Sequence, residues 1–201
     1  MMMNKLCAVV AVSAVLLAVT GCGNDSDDAA SETQTAANGD EFNDADVAFA
    51  SDMIQHHAQA LQMVDLTMDR ELDPEVLQLA DDVRAAQAPE IEQMAAWLTV
   101  WDRPIPETVR DHANAHGGGD VEMDDMPGMM SEDDMSELEA AQDQEFEDLW
   151  LEMMIEHHEG AVDMAQTEQS DGVFAPAIDL ADSIETSQEK EIDQMEGLLE
   201  P

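Results

Sequence analysis

The sequence predicts an all-α protein, an antiparallel four-helix bundle made of two duplicated helical hairpins. Three observations lead there. First, MIQHHAQALQM (Met53 to Met63) recurs as MIEHHEGAVDM (Met154 to Met164), an offset of 101 residues. The same offset, without a gap, aligns Leu79-Ala80-Asp81 with Leu180-Ala181-Asp182. It also aligns Gln87, Glu90, Ile91, Gln93, Met94 and Leu98 with Gln188, Glu191, Ile192, Gln194, Met195 and Leu199. Chance likeness between amphipathic helices does not hold one register so long, so the repeat reads as a duplication. Second, apolar residues in each copy recur at helical spacing. Third, no segment alternates with the period of a strand. Two hairpins with one apolar face each hide those faces against one another.

Residues 1–21 read as a signal peptide, with Lys5 ahead of an uncharged apolar run from Leu6 to Val19. The ending Val19-Thr20-Gly21-Cys22 resembles a bacterial lipobox, in which Cys22 is lipidated and becomes the mature N-terminus. An ordinary cleaved signal or a short membrane helix is the alternative, but the run is short for a span. The expected location is the cell membrane, facing the periplasm or the cell exterior. Cys7 falls in the signal, so the mature chain keeps no free thiol and no disulfide. Any metal site outside the membrane must then use His, Met, Asp or Glu. Residues 22–43 hold the lipidated Cys22 and an acidic stretch with almost nothing to bury, read as a disordered tether.

Residues 44–102 form the first hairpin. Phe49, Met53, His56, His57, Ala60, Val64 and Met68 share one side of its first helix. Asp73 suits the N-cap and Pro74 the first turn of the second helix. That helix presents Val76, Leu79, Val83, Glu90, Met94 and Leu98, and Pro89 should kink it. Residues 103–130 are a linker rich in His, Gly and Met. Residues 131–201 supply a lead-in helix and the second hairpin. Ser131 looks like a cap with an acidic residue at the third helical position, and Met135, Leu138 and Ala141 or Gln142 continue toward Phe146.

Asp and Glu number 48 against 6 Lys and Arg, a formal charge of -42. Nucleic acid and anionic membrane surfaces are poor partners for such a chain, leaving membrane contact to the N-terminal lipid. A cation-binding protein fits, and so does a solvated acidic surface of the halophile kind.

The chemistry lies on the repeated helices. His56 and His57 straddle the line through Met53, Ala60 and Val64 and border the core-facing stripe. His157 and His158 repeat this beside Met154 and Ala161. A lone His on an apolar face is usually a satisfied core residue. A pair kept with the same neighbours in both copies points to a metal or catalytic role. Gln87, Glu90 and Met94, with Gln188, Glu191 and Met195, place a carboxylate on each partner helix's buried stripe, costly unless paired or metal-bound. Each Glu is either a ligand, a second contact that orients a ligand histidine, or half of a structural hydrogen bond. Di-iron bundles carry Glu-x-x-His, whereas here Met53/His56 and Met154/His157 read Met-x-x-His. Thioether with imidazole suits monovalent copper or silver better than iron or magnesium, although Met at helical spacing also serves as plain core filling. In the linker, His112, His116, Met123, Met126, Met129 and Met130 lie where no core is apparent and could capture a soft metal.

FASDMIQHHAQALQM, MPGMMSEDDMSELEAA and FEDLWLEMMIEHHEGAVDMA together resemble the bacterial domain-of-unknown-function family number 305, over roughly Asp44 to Leu199. The resemblance implies a ferritin-like helical fold, export and, as in some members, copper binding. By matching motif it implies Met53, His56, His57, Met63, Met154, His157, His158 and Met164 as metal ligands.

Two functions from different classes follow. One is a lipoprotein that sequesters or relays monovalent copper without turnover. The other is a ferritin-like metalloenzyme with a carboxylate-histidine centre holding iron, manganese or zinc. A purely structural acidic envelope protein is a third. No nucleophile with an adjacent base, glycine-rich phosphate loop or haem-attachment Cys pair appears, which lowers the enzyme reading without removing it. The bundle could be completed within the chain or as a homodimer. If the histidines keep an ordinary pKa near 6.5, metal affinity should fall below about pH 6.

Overall fold

The computed structural model describes residues 32–112 and 126–200. The signal segment, Cys22, His116 and Met123 lie outside them, as does the side chain of His112. The described chain is all-α apart from two very short strands, and no described helix is long and apolar enough to cross a membrane.

Those strands fall in the stretch expected to be a tether. β1 (Gln34–Thr35) pairs antiparallel with β2 (Glu41–Phe42), Gln34 opposite Phe42. Phe42 anchors the turn: it is buried and stacks on Trp101 at 4.8 Å. Arg103 donates to Gln34 and lies over the Phe42 ring.

Helix α1 (Asp44–Asp65) starts at a capping box. The Asn43 side chain accepts from the Ala45 and Asp46 amides, and Asp46 accepts from the Asn43 amide at 2.6 Å. Helix α2 (Pro74–Val100) has Asp73 as N-cap and Pro74 in its first turn, and it runs on through Pro89. Asp69 and Asp102, at φ 64° and 56°, turn the chain after α1 and α2. Aspartate tolerates that left-handed region better than most residues. The short α3 (Val109–His112) is tied to α1 by Arg110 and Asp65 at 2.7 Å.

The lead-in helix α4 (Glu132–Ala140) has the expected capping box, from Ser131 and Asp134. It stops at Ala140, and a new helix, α5 (Asp143–Asp171), carries Phe146. The lead-in helix therefore does not continue to Phe146. Helix α6 (Ala175–Leu199) follows after a three-residue turn.

Helix α1 packs along α2 and α5 along α6, and the two pairs meet chiefly along α1 and α5. That α1–α5 seam is antiparallel and has three ties. At one end Trp150 Nε1 donates to the Met63 carbonyl at 3.0 Å. At the centre His56 lies against His157. At the other end Asp46 accepts from the Val173 and Phe174 amides just beyond α5. The histidine level separates two apolar clusters. One gathers Met63, Leu138, Phe146, Trp150 and Met154; the other gathers Phe42, Met53, Trp101, Ala161 and Phe174.

The four arginines brace this frame. Arg70 donates to the Ala141 and Glu139 carbonyls and lies 3.8 Å over the Phe146 ring. Arg84 and Arg110 share Asp65, and Arg103 holds the β-turn.

Candidate metal centre

Helical spacing brings His56 and His57 from α1 and His157 and His158 from α5 to one level of the seam. All four are fully buried, at 0% exposure. The His56 and His157 rings lie 3.7 Å apart, centroid to centroid, tilted by 39°. The His157 and His158 centroids are 6.4 Å apart.

The outer histidines form matching pairs. His57 Nε2 donates to Glu90 at 2.8 Å, and His158 Nε2 donates to Glu191 at 2.8 Å. Each glutamate is thus within hydrogen-bond distance of a histidine, which is compatible with more than one of the roles left open for it. His56 Nε2 donates to the Pro127 carbonyl at 3.0 Å. A carbonyl only accepts, so the hydrogen sits on Nε2 and the His56 lone pair on Nδ1. Five ring nitrogens have no hydrogen-bond partner: Nδ1 of His56, His57 and His158, and both nitrogens of His157. Gln87 and Gln188 add unpartnered buried amide atoms one turn before the glutamates. Each such atom costs roughly 1–3 kcal/mol, so this dry layer is expensive as it stands. Still, among the described residues no three His, Asp or Glu side chains are already arranged around one ion position.

Burial pushes His56 down to about 3, with the neighbouring His57 adding to the effect. Burial likewise holds His157 well below the usual histidine range, reinforced by His56 and the other two rings. These two rings therefore stay neutral well under pH 6, and the expectation of an ordinary histidine titration does not hold for them.

The turn from Met126 to Met130 closes over the layer from one side. Gln59 clamps it, donating to the Met130 carbonyl at 2.8 Å and accepting from the Met130 amide at 2.7 Å. The residue 101 positions further on is Gly160. A Cβ on Gly160 would overlap the Pro127 carbonyl and come within 2.7 Å of the Gly128 amide. Gly128 itself sits at φ 71°. Contrary to the exposed-linker expectation, Met130 is core, and Met126 and Met129 are half-buried.

The other candidates separate. Met53 and Met94 lie in one apolar cluster; Met63, Met154 and Met195 lie in the other; Met164 is half-buried at the edge of the first. Met63 and Met164 are seven residues beyond His56 and His157, about 10 Å along the helix, and lie away from the histidine level.

The sequence pattern of the family described as domain of unknown function, DUF305, matches residues 46–199. The chain belongs to the DUF305 family. A candidate secreted DUF305 protein from Streptomyces coelicolor is 34% identical, with a TM-score of 0.66 over 77% of this chain and 90% of that one. A DUF305 fragment from Deinococcus radiodurans is 31% identical, with a TM-score of 0.68 over 83% of this chain and 98% of that one. CopM, solved in Cu(II)-bound form, is 29% identical, with a TM-score of 0.61 over 77% of this chain and 95% of that one. CopM is also known in Cu(I)-bound and silver-bound forms. No curated protein matches the chain.

Sequence reasoning missed three parts of this DUF305 chain. Gln59 and the Pro127 carbonyl act on the layer through a turn 71 residues away. Gly160 carried a signal, because glycine inside a helix is costly and marks close approach of another backbone. The third is a buried carboxyl pair. Glu168, 1% exposed, is within hydrogen-bonding reach of Asp46. Burial pushes Glu168 up to about 9, with the bond to Asp46 and the charges of Asp46 and Asp171 adding to it, so the pair holds a proton at neutral pH.

Proposed function

We propose that this DUF305 chain is an exported, lipid-anchored protein that binds a soft metal ion, monovalent copper or silver, for sequestration or relay. The bundle is read as two duplicated hairpins, and the ion is held where they meet. The ligands are His56, His57, His157 and His158, with the thioethers of Met53 and Met154 one turn before the first histidine of each pair. The observation that carries this is the layer of four fully buried histidines with five unpartnered ring nitrogens. An ion bound there relieves that cost, and neutral imidazole with thioether is a donor set for soft monovalent ions. Glu90 and Glu191 hold Nε2 of two rings and leave Nδ1 of each without a partner, as outer carboxylates commonly do for ligand histidines. The His56–His157 stack must turn for both rings to reach one ion. The copper-bound and silver-bound forms of CopM support the choice of metal.

The two His–Glu pairs also suit a harder centre, with Glu90 and Glu191 as ligands to iron, manganese or zinc in a metalloenzyme. One experiment separates the readings. The full chain is titrated anaerobically with monovalent copper against a competing chelator, beside a variant with all four histidines changed to Ala. Helix content is checked by circular dichroism. Tight binding in the parent that collapses in the folded variant supports the proposal. Equal binding in both moves the metal to the Met-rich linker. No binding in either removes the copper reading and leaves the hard-metal or structural one.

A further inference from the structure

The histidine layer is closed to solvent, so a metal needs a way in. Along the α1–α5 seam, between the carboxyl pair and the histidine level, lies a cleft of about 250 Å³. Ala45, Ala48, Phe49 and Asp52 line it from α1, and Met164, Thr167 and Glu168 from α5, with Pro127 at the side. Three features make it more than a surface dent. Its lining includes Pro127, whose carbonyl accepts from the buried His56 at 3.0 Å, so one lining residue touches the histidine layer directly. It carries a carboxylate, Asp52, whose charge attracts a cation, and a soft thioether donor, Met164. Its far end holds the buried carboxyl of Glu168, paired with Asp46.

Resting on the metal-binding reading above, we propose that this cleft is the port by which a soft monovalent cation reaches the histidine layer. Asp52 and Met164 are its transit ligands, and the Pro127 turn is the last barrier. Asp52 draws the cation from the acidic surface. Met164 takes it as water is shed, two helical turns from His157. The ion passes inward when His56 releases the Pro127 carbonyl. This gives Met164 a role, although it lies too far along α5 to join the buried site. It also accounts for the asymmetry between the copies. Met63, the counterpart of Met164, is fully buried, whereas Met164 reaches the cleft.

A port changes rates and leaves the equilibrium alone. The full chain is mixed with silver ion in a stopped-flow instrument and followed by tryptophan fluorescence. Affinity is measured separately by chelator competition. The double variant Asp52→Asn with Met164→Leu preserves volume and should slow uptake and release together, by about tenfold or more, with affinity unchanged. Ala48→Leu, which fills the cleft from an exposed position, should slow both as well. Unchanged uptake in both variants overturns the port. Faster release with unchanged uptake also overturns it, since the cleft residues would then be part of the bound site. Failure of the parent to bind silver overturns the metal-binding reading itself, a different and recognisable result.

Discussion

Glu168→Gln tests the carboxyl pair that closes one end of the α1–α5 seam. In the folded chain Glu168 titrates at about 9, against an ordinary 4.5, chiefly because of burial and its bond to Asp46. Between those values the folded state keeps a proton that the unfolded chain gives up. Stability contributed by the pair is therefore full below about pH 4.5 and lost as pH rises toward 9. Taken whole, a shift of that size corresponds to about 6 kcal/mol. The cleft beside Glu168 lets water relax the ionised pair, so the expected loss is about half, ~3 kcal/mol. Glutamine keeps the shape and still donates to Asp46, but it carries no titrating proton. Urea unfolding followed by far-UV circular dichroism, from about pH 5 to pH 9, should show the parent losing stability relative to the variant. The variant should be the more stable of the two at the alkaline end. Parallel profiles across that range would refute the assignment of a shared proton to this pair. The first repeat offers a natural check: Thr67 stands where Glu168 does and donates to the Val64 carbonyl, so Glu168→Thr should flatten the profile too.

Three other outcomes are expected. Gly160→Ala should cost roughly 2–3 kcal/mol in urea unfolding, because the new methyl meets the Pro127 carbonyl; protease cutting within 126–130 should rise with it, and an unchanged loop would contradict the packing. Glu90→Gln and Glu191→Gln should each weaken copper by about 10–100-fold in chelator competition, whereas a carboxylate-bound hard metal would be lost from the protein altogether. On the acid side, His56 and His157 contribute stability that is complete above the ordinary histidine pKa of 6.5 and is lost as pH falls toward their depressed values. A His56→Gln chain should show a shallower acid limb in the same unfolding assay.

Much of this was legible in the sequence, because the signals were local. Asp73 with Pro74, and Ser131 with Asp134, mark helix starts through contacts within four residues. Glu90 and Glu191 on apolar stripes required partners, and the matching histidines supplied them. What stayed hidden depends on contacts between distant segments. The 34–42 turn has a polar composition suited to disorder, and it is held from afar by the stacking of Phe42 on Trp101 and by Arg103. The Met126–Met130 turn looked exposed because its burial comes from Gln59 and Gly160, on other helices. Glu168 looked like one more surface acid until the antiparallel register of α1 and α5 set it against Asp46.

The placement of the arginines has a further physical result. The chain has only 6 Lys and Arg, and all four arginines are occupied in bracing turns and helix ends. The carboxylates on the outer helix faces are thus left to mobile ions for neutralisation. In dilute salt the molecule gathers a counterion cloud whose depth is the Debye length, about 8 Å at physiological ionic strength. Within that shell every cation, abundant or rare, is more concentrated than in the bulk. Trace cations are therefore enriched at the surface before any specific contact forms, and added salt displaces them.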